Sequence, residues 1–138
     1  MKVFFKEYVI SDDKSLIQIE RVYNLLSNTY WAEHRSKDII RKTIENSVCF
    51  GVYKDGVQVG YARCITDYAA MYYLADVVID EEHRGNGLGK ALIKSITEHE
   101  IFAPLFGVLN TRDAHGLYEQ YGFQSDQESA MRKMRPSE

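Results

Sequence analysis

Three glycines alternate through the run Arg84-Gly85-Asn86-Gly87-Leu88-Gly89-Lys90, which lies between an apolar strand-like stretch and an amphipathic helical pattern. Glycines at this spacing let successive backbone N–H groups converge on one point, and the first turn of a helix leaves further donors unpaired. The helix dipole adds partial positive charge at that end, so phosphate oxygens are favoured there. Arg84 and Lys90 add a full charge on either side. A plain strand-to-helix turn needs fewer glycines, so the run reads as the seat of a phosphorylated ligand.

Two familiar phosphate motifs fail on named positions. A P-loop, G-x-x-x-x-G-K-[ST], would need glycine at 84, which is arginine, and a hydroxyl at 91, which is alanine. A dinucleotide fingerprint, G-x-G-x-x-G, would need glycine at 90, which is lysine. A nucleotide hydrolase would also need a metal carboxylate that no spacing here supplies. What remains is R-x-x-G-x-G, carried by Arg84, Gly87 and Gly89.

The other reactive side chains form no competing pattern. His34, His83, His99 and His115 show no H-x-H or H-E-x-x-H spacing, so no metal is expected. Cys49 and Cys64 lie in apolar runs without a CxxC partner, and read as reduced core residues of a cytoplasmic protein. A net charge of −3 and a pI near 5.8 speak against a general nucleic-acid binder. Arg132, Lys133 and Arg135 read as a solvated basic end. The first residues are too charged for a signal peptide, and no apolar run reaches membrane-spanning length.

The elements that must position the glycine run follow from periodicity. At 138 residues with 45% hydrophobic side chains, one domain over 1–138 is expected. A strand is predicted over 3–10, a helix over 14–28 behind the capping group Ser11, Asp12 and Asp13, and a second helix after Ser36. Strands follow over 48–53, 57–66 and 71–79, with Lys54-Asp55-Gly56 as a hairpin turn. The glycine run opens a helix over 88–100. A strand over 105–110, a short helix over 113–121 stopped by Gly122, and a final extended stretch resuming near 130–134 complete an α/β chain with a mixed sheet.

R-x-x-G-x-G after Val77-Val78-Ile79-Asp80 resembles the GCN5-related N-acetyltransferase (GNAT) superfamily. So does Ala114-x-x-Leu117-Tyr118-Glu119-x-x-Gly122-Phe123, in the order and separation that family uses. The resemblance covers nearly the whole chain. It implies a mixed, mostly antiparallel sheet splayed at the cofactor site and flanked by about four helices. It also implies acetyl-CoA as co-substrate and transfer of its acetyl group directly to a primary amine. The pyrophosphate would sit on the amides of Arg84, Gly85, Asn86, Gly87, Leu88, Gly89 and Lys90. The pantetheine arm would run along Val77, Val78 and Ile79, with Thr111 or the preceding Asn110 standing in where the family often has an asparagine.

Such a transfer needs a base or water chain for the amine, a donor for the oxyanion such as the Val77 or Val78 N–H, and an acid for the departing thiolate. Tyr118 takes the acid position, a phenol protonated at neutral pH. Asp76 is the candidate base; by alternation it shares a face with Tyr72, Leu74 and Val78. Its alternative is a structural pair with lysine or arginine. Trp31, Arg35, Asp67 and Tyr72, with Glu33 and Arg63, are candidate lining residues for an acceptor that is a small molecule or peptide amine. Neither nucleic acid nor membrane is expected as partner, and the chain reads as monomer or homodimer. The competing reading is a non-catalytic acyl-CoA sensor or interaction module.

Overall fold

The alternating residues of the middle of the chain build the centre of a sheet. In the computed structural model, which describes residues 1–136, β3 (Val48–Lys54), β4 (Val57–Thr66) and β5 (Met71–Ile79) form an antiparallel meander. Asp55 and Gly56, both at positive φ, join β3 to β4, a turn whose twist matches the flanking strands. The strand predicted over 3–10 is instead a hairpin, β1 (Lys2–Phe5) and β2 (Tyr8–Ser11), turning at Lys6 with φ 52. Neither Lys6 nor Glu7 is a turn-forming type, so the alternation reads straight through the reversal. β6 (Phe106–Val108) adds parallel to β5, giving the order β1-β2-β3-β4-β5-β6 with every other pairing antiparallel.

Helices cover both faces. α1 (Ile19–Ser27) and α2 (Lys37–Glu45) bury Val22, Leu25, Leu26, Ile40 and Ile44 against Cys49, Tyr61 and Val78. Each fully buried aliphatic side chain contributes roughly 1.5–3 kcal/mol. The predicted helix over 14–28 is broken. Asp13 caps only a 3-10 turn over Lys14–Leu16, and Ile17 then turns extended. Gln18 restarts the helix while exchanging side-chain bonds with Gln58 of β4, at 2.9 and 3.1 Å. α2 is capped by the Ser36 hydroxyl, which accepts from the Ile39 N–H.

The opposite face carries α3 (Leu88–Thr97), which buries Leu88, Leu92, Ile93 and Ile96, and the short α4 (His115–Glu119), which buries Tyr118. α4 ends as a Schellman motif: Phe123 N–H donates to Tyr118 O, Gly122 N–H to Glu119 O, and Gly122 sits at φ 95. Residues 124–136 form no strand, so the extension predicted near 130–134 is absent. Its two large apolar side chains, Met131 and Met134, are exposed and bury too little surface to offset the entropy of ordering it. Among the described residues the result is a mixed, mostly antiparallel sheet with four α-helices, as expected.

Candidate active site

β5 carries the first half of the site. It pairs with β4 along its length, but β6 accompanies it only from Met71 to Tyr73. Beyond Tyr73 its outer edge has no partner strand among the described residues, so the sheet opens there. Asp80 N–H donates to Val59 O across β4. By alternation the peptide groups of Val77 and Ile79 point the other way, into the gap, while Val78 pairs with Tyr61.

A bulge sets this arrangement. The β4–β5 register slips between Tyr61 and Arg63, and Asp76 occupies the left-handed region at φ 56. The slip moves side chains across the sheet: Tyr72 and Leu74 join the α3 face, whereas Val78 joins the α1–α2 face. Alternation placed Asp76 on one face with all three. Its contacts with Arg63 and Arg35 place it instead beside Val78.

The second half is the glycine turn. Gly85 and Gly87 sit at φ 83 and 82, and Gly87 is the N-cap of α3. Gly89 needs no unusual backbone, and a Cβ there would meet nothing within 4 Å. Its missing side chain keeps space open rather than relieving strain. Among the described residues nothing accepts from the backbone N–H groups of Gly85, Asn86, Gly87, Leu88, Gly89 or Lys90. Asn86 braces the turn, donating to His83 O and accepting from Lys6 Nζ. His83 holds the turn to β2 through its Nδ1 and the Tyr8 hydroxyl, 2.9 Å apart.

Both halves open on one cleft of about 510 Å³. Val77, Val78 and Ile79 form its floor, and Arg84, Gly85, Gly87, Leu88 and Gly89 one end. Asp113, Ala114, Leu117 and Tyr118 form a wall from α4, facing Asn28, Thr29, Tyr30 and Trp31 of the α1–α2 loop. A larger hollow of about 1000 Å³ along α3 and β1 contains Lys90 but neither Tyr118 nor the free edge of β5. The smaller cleft is the one that unites the chemistry.

Tyr118 is 9% exposed, and its hydroxyl has no hydrogen-bond partner among the described residues. Burial, reinforced by the negative charge of Asp113 and by Tyr30, pushes its pKa up to about 12. Its ring is fixed edge-on against Phe123 at 6.0 Å, the apolar contact that accompanies the helix-ending motif.

Asp76 does not fit the role of base. It is 5% exposed and accepts from Arg63 Nε at 2.6 Å, Arg35 Nη1 at 2.7 Å and Trp31 Nε1 at 3.0 Å. Burial alone would raise its pKa, but the two guanidiniums outweigh that and hold it below the ordinary 3.8. A carboxylate so held is a poor proton acceptor at neutral pH. Asp76 ties the α1–α2 loop to the bulge instead.

The other candidates divide. Trp31 lines the cleft, but Arg35 is spent on Asp76. Asp67 lies in the β4–β5 turn, where its Oδ1 accepts from Ala69, Ala70 and Met71 N–H groups. Tyr72 is core, with its ring 4.9 Å from Phe102. Asn110 donates to the Tyr73 hydroxyl, and Thr111 Oγ1 accepts from Ala114 N–H at the start of α4; neither lines the cleft. Sequence reasoning missed Tyr30 and Asp113. Each adjoins a residue it did single out, Trp31 and Ala114, and that adjacency was the available signal. Cys49 and Cys64 point to opposite faces of the sheet, and burial pushes the Cys64 thiol up to about 12.

Residues 45–125 match the family model described as an acetyltransferase (GNAT) domain. A Gibberella zeae protein provisionally named an acetyltransferase is 30% identical over 112 residues, covering 67% of this chain and 63% of that protein. The chain therefore spans less than two thirds of that relative's length. A crystal structure from Xanthomonas campestris pv. campestris, described provisionally as an acetyltransferase of the GNAT family, matches with a TM-score of 0.89 at 39% identity over 96% of each chain. A Staphylococcus aureus structure at 15% identity shares the fold, with a TM-score of 0.76 over 93% of this chain and 98% of its own.

Proposed function

This chain belongs to the GNAT acetyltransferase family, and from that premise we propose that it moves an acetyl group from acetyl-CoA directly to a primary amine. The observation that carries the reading is the run of acceptor-free N–H groups over residues 85–90, of which Gly85, Gly87, Leu88 and Gly89 line the same cleft as Tyr118. Acetyl-CoA would supply the activated acetyl group. The amides of the turn, with Arg84 and the α3 dipole, suit its pyrophosphate. The outward peptide groups of Val77 and the Ile79 N–H suit the amides of its pantetheine arm, while Ile79 O already accepts from Arg84 Nε.

The remaining work falls to this chain's own groups. The Val77 N–H, on the side of β5 away from β4 by alternation from Asp80, steadies the oxygen that gains charge as the amine attacks. Val78 is less suited, because by alternation from the Asp80–Val59 bond its peptide groups lie on the β4 side. Tyr118 holds its proton until the departing sulfur takes it. With Asp76 committed to its arginines, the acceptor's ammonium proton passes to solvent at the mouth of the cleft. We place the activity in the cytoplasm, in keeping with two free, buried thiols.

Thiol release from acetyl-CoA, followed with a thiol-reactive chromophore across a panel of primary amines, tests this reading. Amine-dependent release is expected. CoA binding with no amine-dependent release would instead make the chain a non-catalytic acyl-CoA binder.

A further inference from the structure

The two ends of the cleft differ in charge. Of the residues that line it, only Arg84 and Asp113 are charged. Arg84 stands at the glycine turn, where its Nε donates to Ile79 O at 3.0 Å. Asp113 stands at the α4 wall, near enough to Tyr118 for its charge to help raise the phenol's pKa. The anion-seeking turn and the anionic wall thus belong to different elements of one cleft, and the acidic group is the one near the proton donor.

Asp113 has no hydrogen bond or ion pair among the described residues. Its neighbour Arg112 does not line the cleft; its guanidinium lies 3.7 Å from the centre of the Tyr30 ring. That stack joins the α1–α2 loop to the β6–α4 loop and fixes Tyr30 at the acidic end, where Trp31 meets it edge-on at 5.0 Å. The other carboxylate of the region, Asp76, is neutralised by two arginines. The α4 wall therefore offers a carboxylate with no ion-pair partner among the described residues. It stands beside an aromatic wall whose Tyr30 ring already holds the Arg112 cation outside the cleft lining, an environment that favours a cation attached to an apolar body.

We propose that Asp113 is the acceptor-recognition residue, taking the ammonium of a primary amine that carries no carboxylate beside its nitrogen, with Tyr30 and Trp31 receiving the amine's apolar part. This rests on the acetyltransferase reading above. Held there, the ammonium loses one proton to solvent. The nitrogen lone pair then forms the C–N bond, and the C–S bond breaks with its electron pair on sulfur. Sulfur takes the Tyr118 proton, and the second nitrogen proton restores Tyr118. The acetylated product is neutral at that nitrogen and loses its hold on Asp113, which favours release.

Phenethylamine and phenylalanine make a matched pair of probes, differing only by the carboxylate beside the amine. Steady-state kinetics with acetyl-CoA should show phenethylamine acetylated with a KM at least roughly tenfold below that of phenylalanine. Asp113→Asn should raise the phenethylamine KM by about tenfold and narrow the gap between the two amines. The affinity for CoA, measured by calorimetry on the same variant, should not change. Turnover with an unchanged phenethylamine KM in Asp113→Asn, or phenylalanine used as well as phenethylamine, overturns this inference alone. CoA binding with neither of these amines acetylated but another amine of the panel used also overturns this inference alone, and no release with any amine overturns it together with the acetyltransferase reading.

Discussion

Tyr118→Phe is expected to lower kcat by at least roughly hundredfold while leaving the affinity for acetyl-CoA unchanged, since general acids commonly contribute two to four orders of magnitude. The substitution isolates the hydroxyl. The ring keeps its edge-on contact with Phe123 and its place in the α3-side core. The hydroxyl has no protein partner among the described residues, so stability should shift by no more than about 0.5 kcal/mol. The pH dependence has a definite sign. Burial, then Asp113 and Tyr30, raise the pKa to about 12, so Tyr118 stays protonated through neutral and moderately alkaline solution. The rate should rise with pH as the acceptor's ammonium is deprotonated, with no descending limb below about pH 10. A fall near neutral pH in the wild type, or full turnover by the phenylalanine variant, would remove Tyr118 from the mechanism.

Asp76→Asn should cost stability rather than proton transfer. Removing the anion leaves Arg63 and Arg35 facing an uncharged amide at a site 5% exposed, a loss on the order of 3 kcal/mol. That corresponds to a fall in Tm on the order of 10 °C for a chain of this size. Asparagine tolerates the left-handed backbone at φ 56 about as well as aspartate, so the loss reports the charge and not strain. The folded-state pKa of Asp76 is depressed below 3.8. Its contribution is therefore present above 3.8 and lost as pH falls through the lower folded value, and the variant should show less acid sensitivity there. Thermal melts of both proteins from pH 7 to pH 3 measure this. Equal Tm values at pH 7 would show that the cluster does not hold the loop.

The contrast between these two residues shows where sequence reasoning reached and where it stopped. Tyr118 was legible because its neighbours within nine positions, from Ala114 to Phe123, build the helix and the cap that hold it. The glycine turn was legible for the same reason, and the strands 57–66 and 71–79 because apolar runs bounded by turn residues mark them whatever their register. Asp76 was misread because one bulge reverses alternation. Its partners also lie 13 and 41 positions away, beyond any local pattern. The hairpin at Lys6 escaped because charged residues, not glycine or asparagine, make its turn. The Tyr30–Arg112 stack joins residues from distant loops, and only the closed fold brings them together.

The central claim is that residues 85–90 form a ligand seat and not merely a turn, and Gly89 tests it. Nothing in the fold requires glycine there. In a helix, alanine is more stable than glycine by roughly 0.5–1 kcal/mol. Calorimetric titration of CoA into the wild type and Gly89→Ala, with a melt of each, is therefore the direct measurement. The account predicts that the variant melts at or above the wild-type temperature yet binds CoA at least roughly tenfold more weakly, because the added methyl enters the space kept for the pyrophosphate. Equal CoA affinity in the two proteins, or no CoA binding by the wild type, would contradict it.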